Sequence, residues 1–203
     1  TSTCWRNDHN GFSHQGPGLI DTAIPLAPEV VRVWLPPDAN TTLSIGRHCL
    51  ESRNHVNLIV VDKQAHLQYL TIDEAEAHCA AGAGIWDWAG TETALQDGAV
   101  ADSQEPDIVL AAAEIEHEVL AYWRSDDTFR ALFTDSTDVV FAFHGYPRAV
   151  HQLLHGRTNP GRFHVRGFNE QGTTTTPFDM VVLNRMSRYH LVLEALRRSR
   201  RAP

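Results

Sequence analysis

The stretch Val30-VVRVWLPPDANTTLSIGRHCLESRNHVNLIVVD-Asp62 decides the fold of this chain. Val30 to Leu35 is a short apolar, β-branched run, the pattern of a buried strand. The prolines Pro36 and Pro37 stop it, and Asp38 or Asn40 is placed to cap the next element. Leu43, Gly46 and Leu50, with Ile45 and Cys49, then recur at helical spacing. Val56 to Asp62 is the next apolar run and reads as a second strand. Strand, helix and strand in this order favour a parallel sheet joined by a right-handed crossover.

Working outward, the same alternation continues. Thr71 with Glu74 three residues later is a capping-box signature, with acids in the first turn of the helix it opens. That helix runs into the glycines Gly82 and Gly84 and then Trp86 and Trp88, which read as core or interface anchors. Thr91 to Pro106 is polar and aperiodic and reads as an interdomain linker. Asp107 to Ala113 and Asp138 to Phe143 are expected strands, with mostly helical sequence between them. Phe163 to Phe168 is a third short strand. Thr176-Pro177-Phe178-Asp179 opens a helix, with threonine at the cap, proline at the first helical position and an acid at the third. The remainder reads as helix with a break between Asn184 and Ser187. The fold class is therefore α/β, a three-layer α/β/α sandwich with mostly parallel sheets.

Composition excludes several classes. A net charge of −8 over 203 residues leaves no general footprint for nucleic acid. The basic run Arg197 to Arg201 reads as a solvated helix end whose cations complement the macrodipole. Cys4, Cys49 and Cys79 are too few and too scattered for a disulfide scaffold, which points to a reducing compartment and hence the cytoplasm. No Cys-x-x-Cys pair offers zinc a thiolate site. No apolar run is long enough for a membrane span, and the start has no signal-peptide pattern. Beginning as it does at TSTCWRNDHN, the chain reads like the interior of a longer protein. Gly82-Ala83-Gly84 lacks the third glycine and the preceding strand of a dinucleotide fingerprint, and neither a P-loop nor a nucleophile elbow is present.

The chemistry concentrates in two places. Asn7-NDHNGFSHQGPG-Gly18 carries His9 and His14 five positions apart, with Asn10, Ser13 and four glycines or prolines. Gly11 lets the backbone double back and present both imidazoles on one side. A neutral imidazole can move a proton near pH 7, and a charged one can hold phosphate; the plain alternative is a surface turn with two solvated histidines. Lys63 follows the second strand directly. Ligands of open parallel sheets bind at the carboxyl ends of strands, where a lysine can hold phosphate as a point charge or can be ordinary surface. His144, His151 and His155 have spacings that could share a helix face. Gly145 and Pro147 put His144 ahead of the helix, however, and no acid completes a metal set, so no metal site is expected.

The segments WRNDHNGFSHQGPG, VVRVWLPPDANTTLS, SRNHVNLIVVDKQ, GIWDWAG, FAFHGYPRAVHQLLHGRTN and FHVRGFNEQGTTTTPFDMVVLNRMSRYHLV resemble, in order, the C-terminal part of the xylulose-5-phosphate/fructose-6-phosphate phosphoketolases. The resemblance covers most of the chain and implies a transketolase-like C-terminal portion. It makes residues 1–90 the C-terminal part of a pyrimidine-binding domain, 91–106 a linker, and 107–203 the C-terminal domain. It implies a lyase dependent on thiamine diphosphate and Mg²⁺ that cleaves xylulose 5-phosphate or fructose 6-phosphate with inorganic phosphate to acetyl phosphate and an aldose phosphate. It also implies a homodimer. His9, Asn10 and His14 would line the substrate and phosphate pocket, with His14 the candidate for proton transfer during dehydration. Lys63 matches the lysine of the family's Gly-Lys-Gln, here preceded by Asp62 instead of glycine.

Two departures accompany the resemblance. The family's cofactor and metal motifs lie upstream of the matched region, so this chain alone is not expected to bind thiamine diphosphate; the N-terminal cofactor-binding region would be a partner. After Ala113 the family continues through a further helix and strand, so roughly one βα unit of about 30 residues is absent here. The reading is thus a fragment of a phosphoketolase, or alternatively a non-catalytic remnant that acts only as a binding or interaction module.

Overall fold

The computed structural model describes residues 18–61, 65, 67–86, 108–113, 126–169 and 176–199. The linker at 91–106 lies outside them. Helix α1 (Gly18–Ala23) precedes strand β1 (Val31–Trp34), helix α2 (Ala39–Glu51) and strand β2 (Val56–Ile59). β1 and β2 pair in parallel, Val31 opposite Val56 and Trp34 opposite Ile59. The β-α-β reading of the deciding stretch is therefore correct, with each strand shorter than its apolar run. Asp38, and not Asn40, caps α2: its side chain accepts from Thr41 N at 2.9 Å, and the Thr41 hydroxyl accepts from Asp38 N at 3.0 Å. Helix α3 (Ile72–Ala81) has the expected Thr71 and Glu74 capping box and ends at Gly82, whose φ of 78° is the left-handed C-cap glycine is suited to.

The second sheet has the order β3 (Val109–Ala113), β4 (Val139–Phe143), β5 (Phe163–Arg166), all parallel. Helices α4 (Asp126–Phe133) and α5 (Pro147–Leu154) precede and follow β4; α6 (Pro177–Leu183) and α7 (Arg188–Arg198) follow β5. Thr176 caps α6 through Asp179 N, and the expected break separates α6 from α7.

Every residue of β4 is buried, and alternation sends its side chains to two different layers. Val139, Phe141 and Phe143 join Phe129 and Phe133 of α4 and Ala149, Val150 and Leu154 of α5. On the other face Ala142 joins Phe168, Met180 and Met186, with Leu191 of α7 against them. Helices thus cover both faces of this sheet, the three-layer arrangement that a continuous apolar strand requires. The larger cluster also takes in Ile20 and Ala23 of α1 with Val33, Leu35 and Val60 of the first sheet, so one apolar core spans both sheets. Asp21, 8% exposed, fastens α1 to α5 by accepting from Arg148 Nε at 2.8 Å.

Among the described residues no helix is long and apolar enough to cross a membrane.

Candidate functional site

The carboxyl edge of the first sheet is organised around Asp38. Beyond β1 the chain buries Leu35 and then Asp38, which is 4% exposed. One carboxylate oxygen of Asp38 closes the cap of α2 by accepting from the Thr41 backbone and hydroxyl. The other accepts from Gln68 Nε2 at 2.5 Å, Tyr69 N at 3.0 Å and Leu70 N at 2.9 Å. Asn40 adds a bond to the Leu70 carbonyl at 2.8 Å. A single buried carboxylate therefore ties the β1–α2 turn to the segment that returns from β2. Burial pushes its pKa up, but the donated bonds from Thr41, Leu70 and Tyr69 outweigh this and hold it below the usual carboxylate range.

Beside this hub, Trp86 of the GIWDWAG motif stands 5.4 Å from the Tyr69 ring and 6.2 Å from the His78 ring, centroid to centroid. A side chain at Gly84 would sit 3.1 Å from the His78 ring, so glycine there allows the close approach. Burial lowers the pKa of His78, with the charge of Asp38 pulling the other way. Trp86 is half-buried against these two rings and joins neither apolar cluster; Trp88 lies outside the described residues.

His9, Asn10, His14 and Lys63 all lie outside the described residues. What is described is the framework on either side of them. Gly18, four residues after His14, opens the α1 that Asp21 and Arg148 fasten down. Val60, buried and bonded through its N–H to the Trp34 carbonyl at 2.9 Å, stands three residues before Lys63. Gln68, five residues after Lys63, is held by Asp38.

The three other histidines separate as their sequence context suggests. His144 follows β4, outside the helix, and is buried; burial drives its pKa down to about 4, so the ring is neutral at physiological pH. His151 lies in the last turn of α5 and His155 is its C-cap. Among the described residues no group of three His, Cys, Asp or Glu side chains could hold a metal ion.

The carboxyl end of the second sheet is closed by backbone contact. Phe168 N donates to Gly145 O at 2.9 Å, and a Cβ on Gly167 would lie 2.7 Å from that same oxygen. The Gly145 and Gly167 of the HGYP and RGF motifs therefore serve packing. Sequence reasoning missed the second role of Asp38, the Asp21–Arg148 clamp, and the buried Glu194, which accepts from Arg166 Nη2 at 2.6 Å and Arg198 Nη2 at 3.1 Å. The capping role of Asp38 and the i,i+4 pairing of Glu194 with Arg198 left local signals; the other partners are 28 or more residues away.

Comparison with known proteins gives this framework its family. The family described as D-xylulose 5-phosphate/D-fructose 6-phosphate phosphoketolase matches residues 1–52, and its C-terminal domain matches 63–123 and 121–203. The chain belongs to the phosphoketolase family. A probable phosphoketolase of Brucella suis biovar 1 (strain 1330) is 47% identical over 232 aligned positions, covering 98% of this chain and 28% of the relative. One of Streptomyces coelicolor is 47% identical over 232 positions, and one of Rhodopseudomonas palustris 48% identical over 222, each with the same coverage. This phosphoketolase chain thus spans 28% of the length of the curated relatives it matches. Alignments of 232 and 222 positions against 203 residues leave at least 29 and 19 positions, respectively, that face no residue here.

Proposed function

We propose that this chain forms one wall of a phosphoketolase active site, cleaving xylulose 5-phosphate or fructose 6-phosphate with phosphate to acetyl phosphate and an aldose phosphate. The observation that carries this reading is near-complete coverage of the chain, at 47% identity, by relatives named as probable phosphoketolases. Residues 1–90 would end the pyrimidine-binding domain and 107–203 would form the C-terminal domain. The whole would work as a soluble cytoplasmic homodimer and act as an aldehyde-lyase.

Bound thiamine diphosphate would supply the carbanion chemistry. Among the described residues no group of three His, Cys, Asp or Glu side chains could hold its metal. The proposal assigns the cofactor site to the rest of the longer phosphoketolase polypeptide and gives the residues here the remaining tasks. His14, with His9, would move a proton at the hydroxyl lost in dehydration. Asn10 would hydrogen-bond the sugar phosphate, and Lys63 would hold the phosphate anion. Four peptide units separate Lys63 from Ile59, the last residue of β2, so its Cα lies within roughly 14 Å of the carboxyl end of that strand whatever path the chain takes.

The test is to pair this chain with the preceding region of the Brucella suis relative. The pair is supplied with fructose 6-phosphate, phosphate, thiamine diphosphate and Mg²⁺, and acetyl phosphate is assayed. Product is expected, and His14→Ala in the same pair should lower kcat by about 100-fold or more. A folded pair without product overturns the proposal. The positions without a counterpart in this chain favour one second reading, a non-catalytic remnant that binds partners only; binding to the preceding region without turnover would support it.

A further inference from the structure

α3 ends at Gly82, and the chain from there to Trp86 turns back over the helix it has just left. Three contacts define the return. The backbone at Gly84 comes so close to His78 that an added Cβ would lie 3.1 Å from Nδ1 and 3.5 Å from Cε1. The Trp86 ring meets the His78 ring edge-on. The same indole reaches the ring of Tyr69, in the segment that Asp38 holds. Residues 82–86 thus form a strap with His78 beneath it. Ile85 is 63% exposed and Trp86 joins neither apolar cluster, so the strap is fastened outside the core, where local opening is least costly.

The covered ring makes this fastening sensitive to protons. Burial under the strap disfavours the charged imidazole and holds its pKa below the ordinary value. Opening returns the ring to water, where it titrates near about 6.5. The open form therefore binds a proton more tightly than the closed one, and by linkage a proton favours opening. Closure is complete above about pH 6.5 and weakens as pH falls below it.

The surrounding groups do not reverse this sign. The charge of Asp38, on the β1–α2 turn, favours the protonated ring and only moderates the effect. On α3, Glu74 is bound to Thr71, and Glu76 faces Arg47 of α2. His48 of α2 is turned to Arg32 at 2.9 Å. Cys79 Sγ lies toward the Thr41 carbonyl, and thiols and phenols, such as those of Cys79 and Tyr69, are ordinarily neutral below pH 7. Gly82 to Trp86 carries no titratable side chain, and Asp87 lies outside the described residues.

We infer that residues 82–86 are a pH-sensitive strap, with His78 as its proton sensor and Trp86 as the side chain that fastens it. α3 keeps its own supports, the buried Ala75 and the capping box at Thr71, so the opening stays local. It frees the start of the connection from the first sheet to the second. This inference does not rest on the proposed reaction.

The test titrates the full 203-residue chain by NMR from about pH 8 to about pH 5, read at the His78 ring and at the Trp86 indole N–H. The His78 midpoint is expected below about 6.5, with the indole signal following it. Exchange of the indole N–H, relative to free indole at the same pH, should quicken by up to about tenfold per pH unit, the limit for one proton. Trp86→Ala should raise the His78 midpoint toward about 6.5, and His78→Gln should hold the indole signal and its relative exchange constant. Four results would overturn the inference: a His78 midpoint that Trp86→Ala leaves unchanged, meaning that the helix itself covers the ring; an indole signal that does not follow His78; a signal that follows without quickened exchange, meaning that the ring charges under a closed strap; or quickened exchange that persists in His78→Gln, meaning that another group is the trigger.

Discussion

Arg162 is 5% exposed and donates to three backbone carbonyls, Phe133 at 2.7 Å, Thr134 at 2.7 Å and Thr137 at 2.8 Å, with its guanidinium over the Phe163 ring at 4.6 Å. It thereby satisfies carbonyls at the end of α4 that no intrahelical donor reaches. Arg162→Met should cost about 2–4 kcal/mol in urea unfolding, since several charge-assisted bonds are lost together. Arg162→Lys should recover only part, because a lysine cannot reproduce the planar fork. Asp38 and Glu194 set the acid limit of the fold. Both have folded-state pKa values below the unfolded ones, Asp38 through its donated bonds and Glu194 because Arg166 and Arg198 outweigh its burial. Below the unfolded values of about 4 the unfolded chain binds more protons than the folded one, so stability falls with pH in that range. Urea midpoints measured from pH 7 to pH 3 should hold down to about pH 5 and then decline. Asp38→Asn with Glu194→Gln should be less stable at pH 7 but show a shallower decline.

Two glycines, one just past β5 and one inside α2, call for opposite outcomes. Gly167→Ala drives a methyl to 2.7 Å from the Gly145 oxygen and 3.0 Å from Pro147, and should destabilise by about 1–3 kcal/mol. Gly46 lies inside α2, where an added methyl would meet nothing within 4 Å, so Gly46→Ala should stabilise by about 0.5–1 kcal/mol. Thermal melts of the two variants check both signs. The same elements show how much of the fold is legible in the chain itself. The caps at Asp38, Thr71 and Thr176 and the apolar runs of β1 to β5 are local patterns, and the structure has each of them. Strands β1, β2 and β5 are shorter than their apolar runs because those runs continue past the last ladder pair, whereas β3 starts later than its run and ends with it at Ala113. The link from Asp38 to residues 68–70 is not legible, since it depends on how the return from β2 folds across the sheet edge. For His9, Asn10, His14 and Lys63, motif and chain position carry the reading, and the described residues supply only their supports.

At the scale of the molecule, one apolar cluster runs from α1 through both sheets, so the halves should unfold together. Phe141→Ala, at 1% exposure in β4, should cost about 3–5 kcal/mol. It should also speed exchange at Val56 and Val60, whose N–H groups bond across the first sheet. Unchanged protection at those two amides would mean that the sheets unfold separately. α7 meanwhile exposes Tyr189, Val192, Leu193 and Leu196 at helical spacing, a stripe in keeping with a chain that spans 28% of its relatives.

The Asp21–Arg148 clamp joins residues 127 positions apart. Closing so long a loop brings no reward until both ends exist, so this contact must form late. On the ribosome, α1 emerges before the other elements described here, and 127 further residues must follow Asp21 before its carboxylate meets its counter-ion. Throughout that interval its apolar side is open to chaperones, and arrest of translation before Arg148 would leave the helix undocked.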